Sequence, residues 1–348
     1  MSVYKLSMEQ MRDWISRLIA ERTLYGVQQR DERFVFGRVE RPEELRLDYD
    51  VTILPPKKYV MPPRENLLAY LPQEHYESLW ADEPFVLLGV HPYDFVAIRQ
   101  LDLLFERDNP DEHYLRRRKA AAIVVVDVER VSANVFAGCV GTAVVEEGFD
   151  GLLTRVEDGY LLEVRGAKGE WLVSLAESLA PATRADLRQR REVWANNRRR
   201  LRKHELKVTP ERVGQLLRES YGHPIWEEKA RQCYSCGSCN LVCPTCYCFD
   251  VRDESDWSLR KGVRYRVWDG CLLEEFAMVA GGHNFRAAKA ARYRHRYYRK
   301  GLYVPEIIGQ LACVGCGRCI TACTTGIANP VEVFNRLQEE PHEQHAAC

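Results

Sequence analysis

No apolar run in this sequence is long enough to cross a bilayer. A spanning helix needs roughly 18 residues, and the longest run, Ala120–Val126, is ended by Asp127. Net charge is missing too, because 50 Lys and Arg offset 50 Asp and Glu. Bulk attraction to nucleic acid or anionic lipid is therefore not expected, although a local patch remains open. There is no Walker loop, no G-x-G-x-x-G turn behind a strand and no nucleophile–base pair. The chain by itself is thus expected to bind neither ATP nor a dinucleotide. The opening MSVYKLSMEQMRDWISRL puts acids and an Arg at helical spacing in place of a secretory signal, which points to the cytoplasm.

What remains is 348 residues, 46% apolar and 29% charged, with 13 cysteines. At about 150 residues per domain that is two domains, or one with an appendage, with enough apolar material for a core. In a reducing compartment, clustered cysteines mean metal or redox chemistry more often than disulfides. Eleven of the 13 lie between Cys233 and Cys323; only Cys139 and Cys348 stand outside.

The first half reads as mixed α/β. Residues 4–21 carry Leu6, Met11, Trp14, Ile15, Leu18 and Ile19 on one helical face, with Ser7 and Gln10 as a capping box. Strands are expected at Phe34–Val39, Val51–Leu54, Phe85–Val90, Ala121–Val126, Val140–Glu146, Tyr160–Val164 and Trp171–Leu175, and helices from near Arg64 and over Phe95–Phe105. Residues 183–203 carry nine Arg or Lys, a solvated helix linking domains or a docking face for an acidic partner. A short helix follows Thr209-Pro210, through Leu217. The whole reads as α+β: a mixed domain (1–182), a basic helical linker (183–225), a dicluster ferredoxin-like domain (226–335, insert 244–312) and a tail (336–348).

CYSCGSCNLVCP (233–244) and CVGCGRCITACT (313–324) are one pattern written twice. Each is C-x2-C-x2-C-x3-C, the bacterial ferredoxin run for a [4Fe–4S] cluster, whose fourth cysteine serves the other cluster. This assigns Cys233, Cys236, Cys239 and Cys323 to cluster 1, and Cys313, Cys316, Cys319 and Cys243 to cluster 2. Gly237 and Gly317 let the backbone pass close and point N–H groups at sulfur. Structural zinc, the rival, prefers separated C-x2-C hooks. The second run ends in Thr324 where the first has Pro244, which questions a local turn and not the ligands.

Between Cys243 and Cys313 lie 69 residues, an insert holding Cys246, Cys248, Cys271, Asp250 and His283. Its three thiols are candidates for a third iron–sulfur centre, with His283, Asp250 or an N-terminal group as fourth ligand, or else they pack as small apolar groups or tune the neighbouring clusters through S–H contacts. After the insert, FRAAKAARYRHRYYRKG (285–301) interleaves five Arg and two Lys with aromatics. Such a run can stack single-stranded nucleic acid over 286–300; offsetting cluster charge or docking an acidic partner is the preferred reading.

LPPKKYVMPPRENLL (54–68), LLGVHPYDFVAIRQLDLLF (87–105), CPTCYCFDV (243–251), RVWDGCLLEEFAMVAGGHNFR (266–286) and CVGCGRCITAC (313–323) together resemble the iron–sulfur β subunit of cytosolic NAD(P)-linked [NiFe] hydrogenases of sulfhydrogenase type. The iron–sulfur subunit of anaerobic sulfite reductase, which passes electrons to a sirohaem subunit, shares the plan. The resemblance implies a non-catalytic electron-transfer subunit lying between a flavin subunit that binds NAD(P)H and a [NiFe] hydrogenase small subunit. It also implies that the eight ferredoxin-type cysteines are cluster ligands. Such relatives carry a cysteine where this chain has Tyr93, and more after the strand ending at Asp127. An N-terminal cluster is therefore not expected here, and that turn should serve as a packing or docking surface.

Overall fold

The computed structural model describes residues 2–71 and 75–340. Strand β1 (Ser2–Ser7) leads directly into α1 (Met8–Glu21) through the expected capping box: Gln10 N donates to Ser7 Oγ at 3.1 Å, and Ser7 N to Gln10 Oε1 at 2.9 Å. The helix thus begins at Met8 and not at residue 4, and Leu6 is buried from the strand. Then come β2 (Thr23–Arg30), β3 (Arg33–Arg38), β4 (Arg64–Leu71), β5 (His75–Ser78), β6 (Phe85–Val90), α2 (Pro92–Phe105), α3 (Glu112–Ala120), β7 (Ala121–Val126), β8 (Gly151–Val156), β9 (Gly159–Val164), α4 (Gly166–Ser174) and β10 (Ala180–Pro181).

Eight of these strands form one sheet in the order β10-β1-β9-β8-β7-β6-β2-β3, with β2, β6, β7 and β8 parallel. Every residue of β6 and β7 is buried, as strands covered on both faces must be.

The second half is mainly helical: α5 (Arg184–Arg200), α6 (Val213–Glu219), α7 (Ile225–Arg231), α8 (Ser238–Leu241), strands β11 (Phe249–Ser255) and β12 (Gly262–Trp268), then α9 (Lys289–Tyr298), α10 (Pro305–Ile308), α11 (Arg318–Ala322) and α12 (Pro330–Glu339). The architecture is α+β. Of the tail expected at 336–348, residues 336–339 belong to α12, and 341–348, with Cys348, lie outside the described residues. No helix among the described residues is long and apolar enough to cross a membrane.

Four expected elements differ. The helix near Arg64 is strand β4, because β12 pairs with it along its length from 262–267, a partner no local pattern reveals. The strand at Trp171–Leu175 is the end of helix α4, where Trp171 lies under the Arg22 guanidinium at 3.8 Å and Leu172 is buried. Val140–Glu146 has no ladder partner and is irregular. Val51–Leu54 makes a single bridge, Thr52 to Phe34.

The halves are stitched together. The insert strands join the first half in an antiparallel sheet β11-β12-β4-β5. Arg266 of β12 is buried between Glu65 of β4 and Asp111, and Arg117 reaches the same Glu65 at 2.6 Å. Helix α5 is not wholly solvated: Trp194 Nε1 donates to Asp127 Oδ2 at 2.8 Å, and Arg190 pairs with buried Glu163. A small core of Tyr93, Val128, Val135, Leu201, Val314 and Cys316 lies where the halves meet.

Candidate metal centre

The two cysteine runs fold alike. Gly237 (φ 72°) and Gly317 (φ 77°) are left-handed and start α8 and α11, which carry Cys239 and Cys319. Two residues earlier in each run, Gly315 (φ 65°) and its counterpart Ser235 (φ 55°) are left-handed too. That is a strained state for serine, and it turns the N–H back on the first sulfur: Ser235 N donates to Cys233 Sγ at 3.4 Å, and Gly315 N–H to Cys313. The second loop is pressed against the first half of the chain. A Cβ on Gly317 would stand 2.3 Å from Asn134 O, and one on Gly315 2.6 Å from Ala137 N.

The thiols gather in crossed sets. Cys243, Cys313, Cys316 and Cys319 line one cavity, and Cys233, Cys236, Cys239 and Cys323 line another. Among the described residues no three His, Cys, Asp or Glu side chains converge tightly enough to hold a single ion. Four soft thiols lining one cavity are a donor set of the kind that suits an iron–sulfur cluster better than a hard cation.

Burial pushes the Cys239 and Cys313 thiols up to about 12 and raises Cys316 as well. Iron would have to draw off those protons. Cys323 is held below the usual thiol value: burial acts upward, but the Thr325 hydroxyl and the N–H groups of Thr325, Ile327 and Ala328 outweigh it. Of the eight, Cys236 alone is exposed, whereas Cys233, Cys239, Cys316 and Cys319 are buried.

The basic run after the insert splits by face. Arg294 lies outside, 3.7 Å over the Tyr221 ring. Arg292, Arg296 and Lys300 point inward and are 2%, 2% and 7% exposed. Arg296 and Lys300 line the cavity of Cys243, Cys313, Cys316 and Cys319.

Of the insert thiols, Cys246 and Cys271 meet at one side chain: Asn240 Nδ2 donates to Cys271 Sγ at 3.3 Å and reaches Cys246 Sγ at 3.7 Å. Cys246 also shares a hydrogen bond with Cys243, which lowers the Cys243 thiol. Cys248 is half-buried, and burial raises it to about 11. Neither proposed side-chain ligand joins them. Asp250 pairs with Arg252 at 2.8 Å, and exposed His283 packs edge-on against Phe285. Cys139 donates to His204 O at 3.3 Å.

The 4Fe-4S dicluster domain family matches residues 232–327, which places iron–sulfur clusters in the ferredoxin-like half. Over 341 residues, 97% of this chain and 99% of the other, the sequence is 34% identical to sulfhydrogenase 2 subunit beta of Pyrococcus furiosus. The chain belongs to the sulfhydrogenase β-subunit family. No solved structure matches it.

In this family member the HPYD turn is filled. Tyr93 is 1% exposed, its hydroxyl 2.6 Å from His91 Nδ1. Asp94, next along, takes both arms of the Arg318 guanidinium at 2.6 and 2.7 Å, while Arg318 Nε donates to Thr52 O at 2.8 Å. Arg318 sits between Cys316 and Cys319, so the turn anchors the second cysteine loop. Sequence reasoning missed Asp94, Arg318 and Asn240. It also missed Lys57, which donates to Cys246 O and lies 4.2 Å from the Trp268 ring. The PPKK run was the available signal for Lys57; Asp94–Arg318 spans 224 positions and left none.

Proposed function

We propose that the chain relays electrons through two [4Fe–4S] clusters, between a flavin subunit that binds NAD(P)H and a [NiFe] hydrogenase small subunit. The observation that carries this reading is the crossing of the quartets: Cys243 stands with Cys313, Cys316 and Cys319, and Cys323 with Cys233, Cys236 and Cys239. That is the ligand exchange of a two-cluster ferredoxin. Bound clusters would supply one-electron transfer. The chain's part is to hold eight thiolates, aim N–H groups at Cys233, Cys313 and Cys323, and keep water from the buried quartet. The hydrogenase setting rests on the similarity to a sulfhydrogenase subunit.

The test is anaerobic purification of the tagged chain with its natural partners, then iron, sulfide and EPR analysis. About eight irons per chain are expected for two cubes; about twelve would assign Cys246, Cys248 and Cys271 to a third centre. Zinc without iron or sulfide would overturn the reading, and co-purification of a sirohaem subunit would replace the hydrogenase setting with sulfite reduction.

A further inference from the structure

Eight Lys or Arg side chains are buried among the described residues. Four have a carboxylate: Arg190 with Glu163, Lys229 with Glu332, Arg266 with Glu65 and Asp111, and Arg318 with Asp94. The other four, Lys57, Arg292, Arg296 and Lys300, have only neutral partners. Arg292 donates to the carbonyls of Arg286 and Ala287 and to Ser235 Oγ, Arg296 to Cys239 O at 3.3 Å, Lys300 to Thr245 Oγ1 at 2.6 Å, and Lys57 to Cys246 O. The Nε atoms of Arg292 and Arg296 have no partner. Burying a lone cation costs several kcal/mol, and four in one region need an anion. Cysteine thiols face Lys57, Arg296 and Lys300, and Arg292 holds the first cysteine loop through Ser235.

Their spacing is ordered. Arg292, Arg296 and Lys300 recur every fourth residue on the inward face of α9 and the π-type turn at Arg299–Tyr303 that continues it. Arg292 holds Ser235, inside the first cysteine loop. Lys300 lines only the cavity of Cys243, Cys313, Cys316 and Cys319. Arg296 serves both quartets, with its hydrogen bonds reaching the Cys239 carbonyl and the Cys319 thiol.

An oxidised [4Fe–4S] core bound by four thiolates is a dianion, so two such clusters match four fixed cations. We propose that Lys57, Arg292, Arg296 and Lys300 are the built-in counter-charge of the two clusters, and that Arg296, between them, raises both reduction potentials. This rests on the two-cluster reading above. A cation near a cluster favours the reduced form, and at these buried positions its field is screened less than in bulk water.

The experiment is an EPR-monitored redox titration of the anaerobic complex, with iron counted in each variant. In Arg296→Gln both potentials fall, each by at least a tenfold change in the reduced-to-oxidised ratio, about 59 mV for one electron. Arg296→Lys stays near the parent. Lys300→Gln lowers one potential and Arg292→Gln the other. Unmoved potentials in an iron-replete Arg296→Gln protein would overturn the proposal, as would a fall as large in Arg296→Lys. If Arg296→Gln loses its iron, retention in Arg296→Lys upholds the charge role and loss in both defeats it. An iron-free parent protein would instead remove the function reading itself.

Discussion

Arg318 is the side chain on which the second cysteine loop hangs. Its guanidinium is spent on Asp94 and Thr52, both buried. Replacing it with methionine leaves the Asp94 charge stranded, and a buried pair broken on one side costs about 3–5 kcal/mol. Arg318→Met should lower the anaerobic unfolding free energy by that order, and adding Asp94→Leu should recover much of it, since no lone charge then remains. Asp127 makes a prediction about pH. Burial raises its carboxyl from 3.8 to about 6 against the Thr154 and Trp194 hydrogen bonds, and Oδ1 has no partner. The folded state therefore holds the proton more tightly than the unfolded chain, so this group's stabilisation is complete below pH 3.8 and is lost as pH rises through about 6. Thermal melts at a series of pH values should show that decline in the parent and a flatter profile in Asp127→Asn.

Among the elements, the ferredoxin loop at 313–319 tolerates least change. Its left-handed Gly317 meets the Asn134 carbonyl with no room for a Cβ, so Gly317→Ala must either move the loop or break its docking. The expected result is loss of iron from the Cys243, Cys313, Cys316 and Cys319 quartet, with the other EPR signal retained; two intact signals would refute it. How much of this was legible depended on range. The dicluster domain, the capping box at Ser7 and the buried strands β6 and β7 are local patterns, and they read correctly. Strand β4 did not, since its partner β12 begins nearly two hundred residues later and PPRENLL has no strand alternation of its own. The basic run at 285–301 read as a charge run, but its division into an outer Arg294 and an inner Arg292–Arg296–Lys300 row depends on which face α9 buries, and that is set by the cysteine core.

At the scale of the molecule, the insert is not an appendage. Strands β11 and β12 complete a sheet begun by β4 and β5, and the small core around Tyr93 and Cys316 ties the cysteine half to the first half. The same packing gives the two quartets unequal shelter: one lies against the first half, and the other has Cys236 at the surface beside Tyr234, which is 73% exposed. The consequence is a difference in lifetime. Oxidants reach Cys236 first, so in air the two centres proposed above should decay one after the other. A partly aged preparation should hold about four irons and show one surviving EPR signal, that of the sheltered quartet. Such a protein would still look half-loaded by analysis yet have lost its outermost stepping stone, the one nearest any acceptor arriving over Cys236.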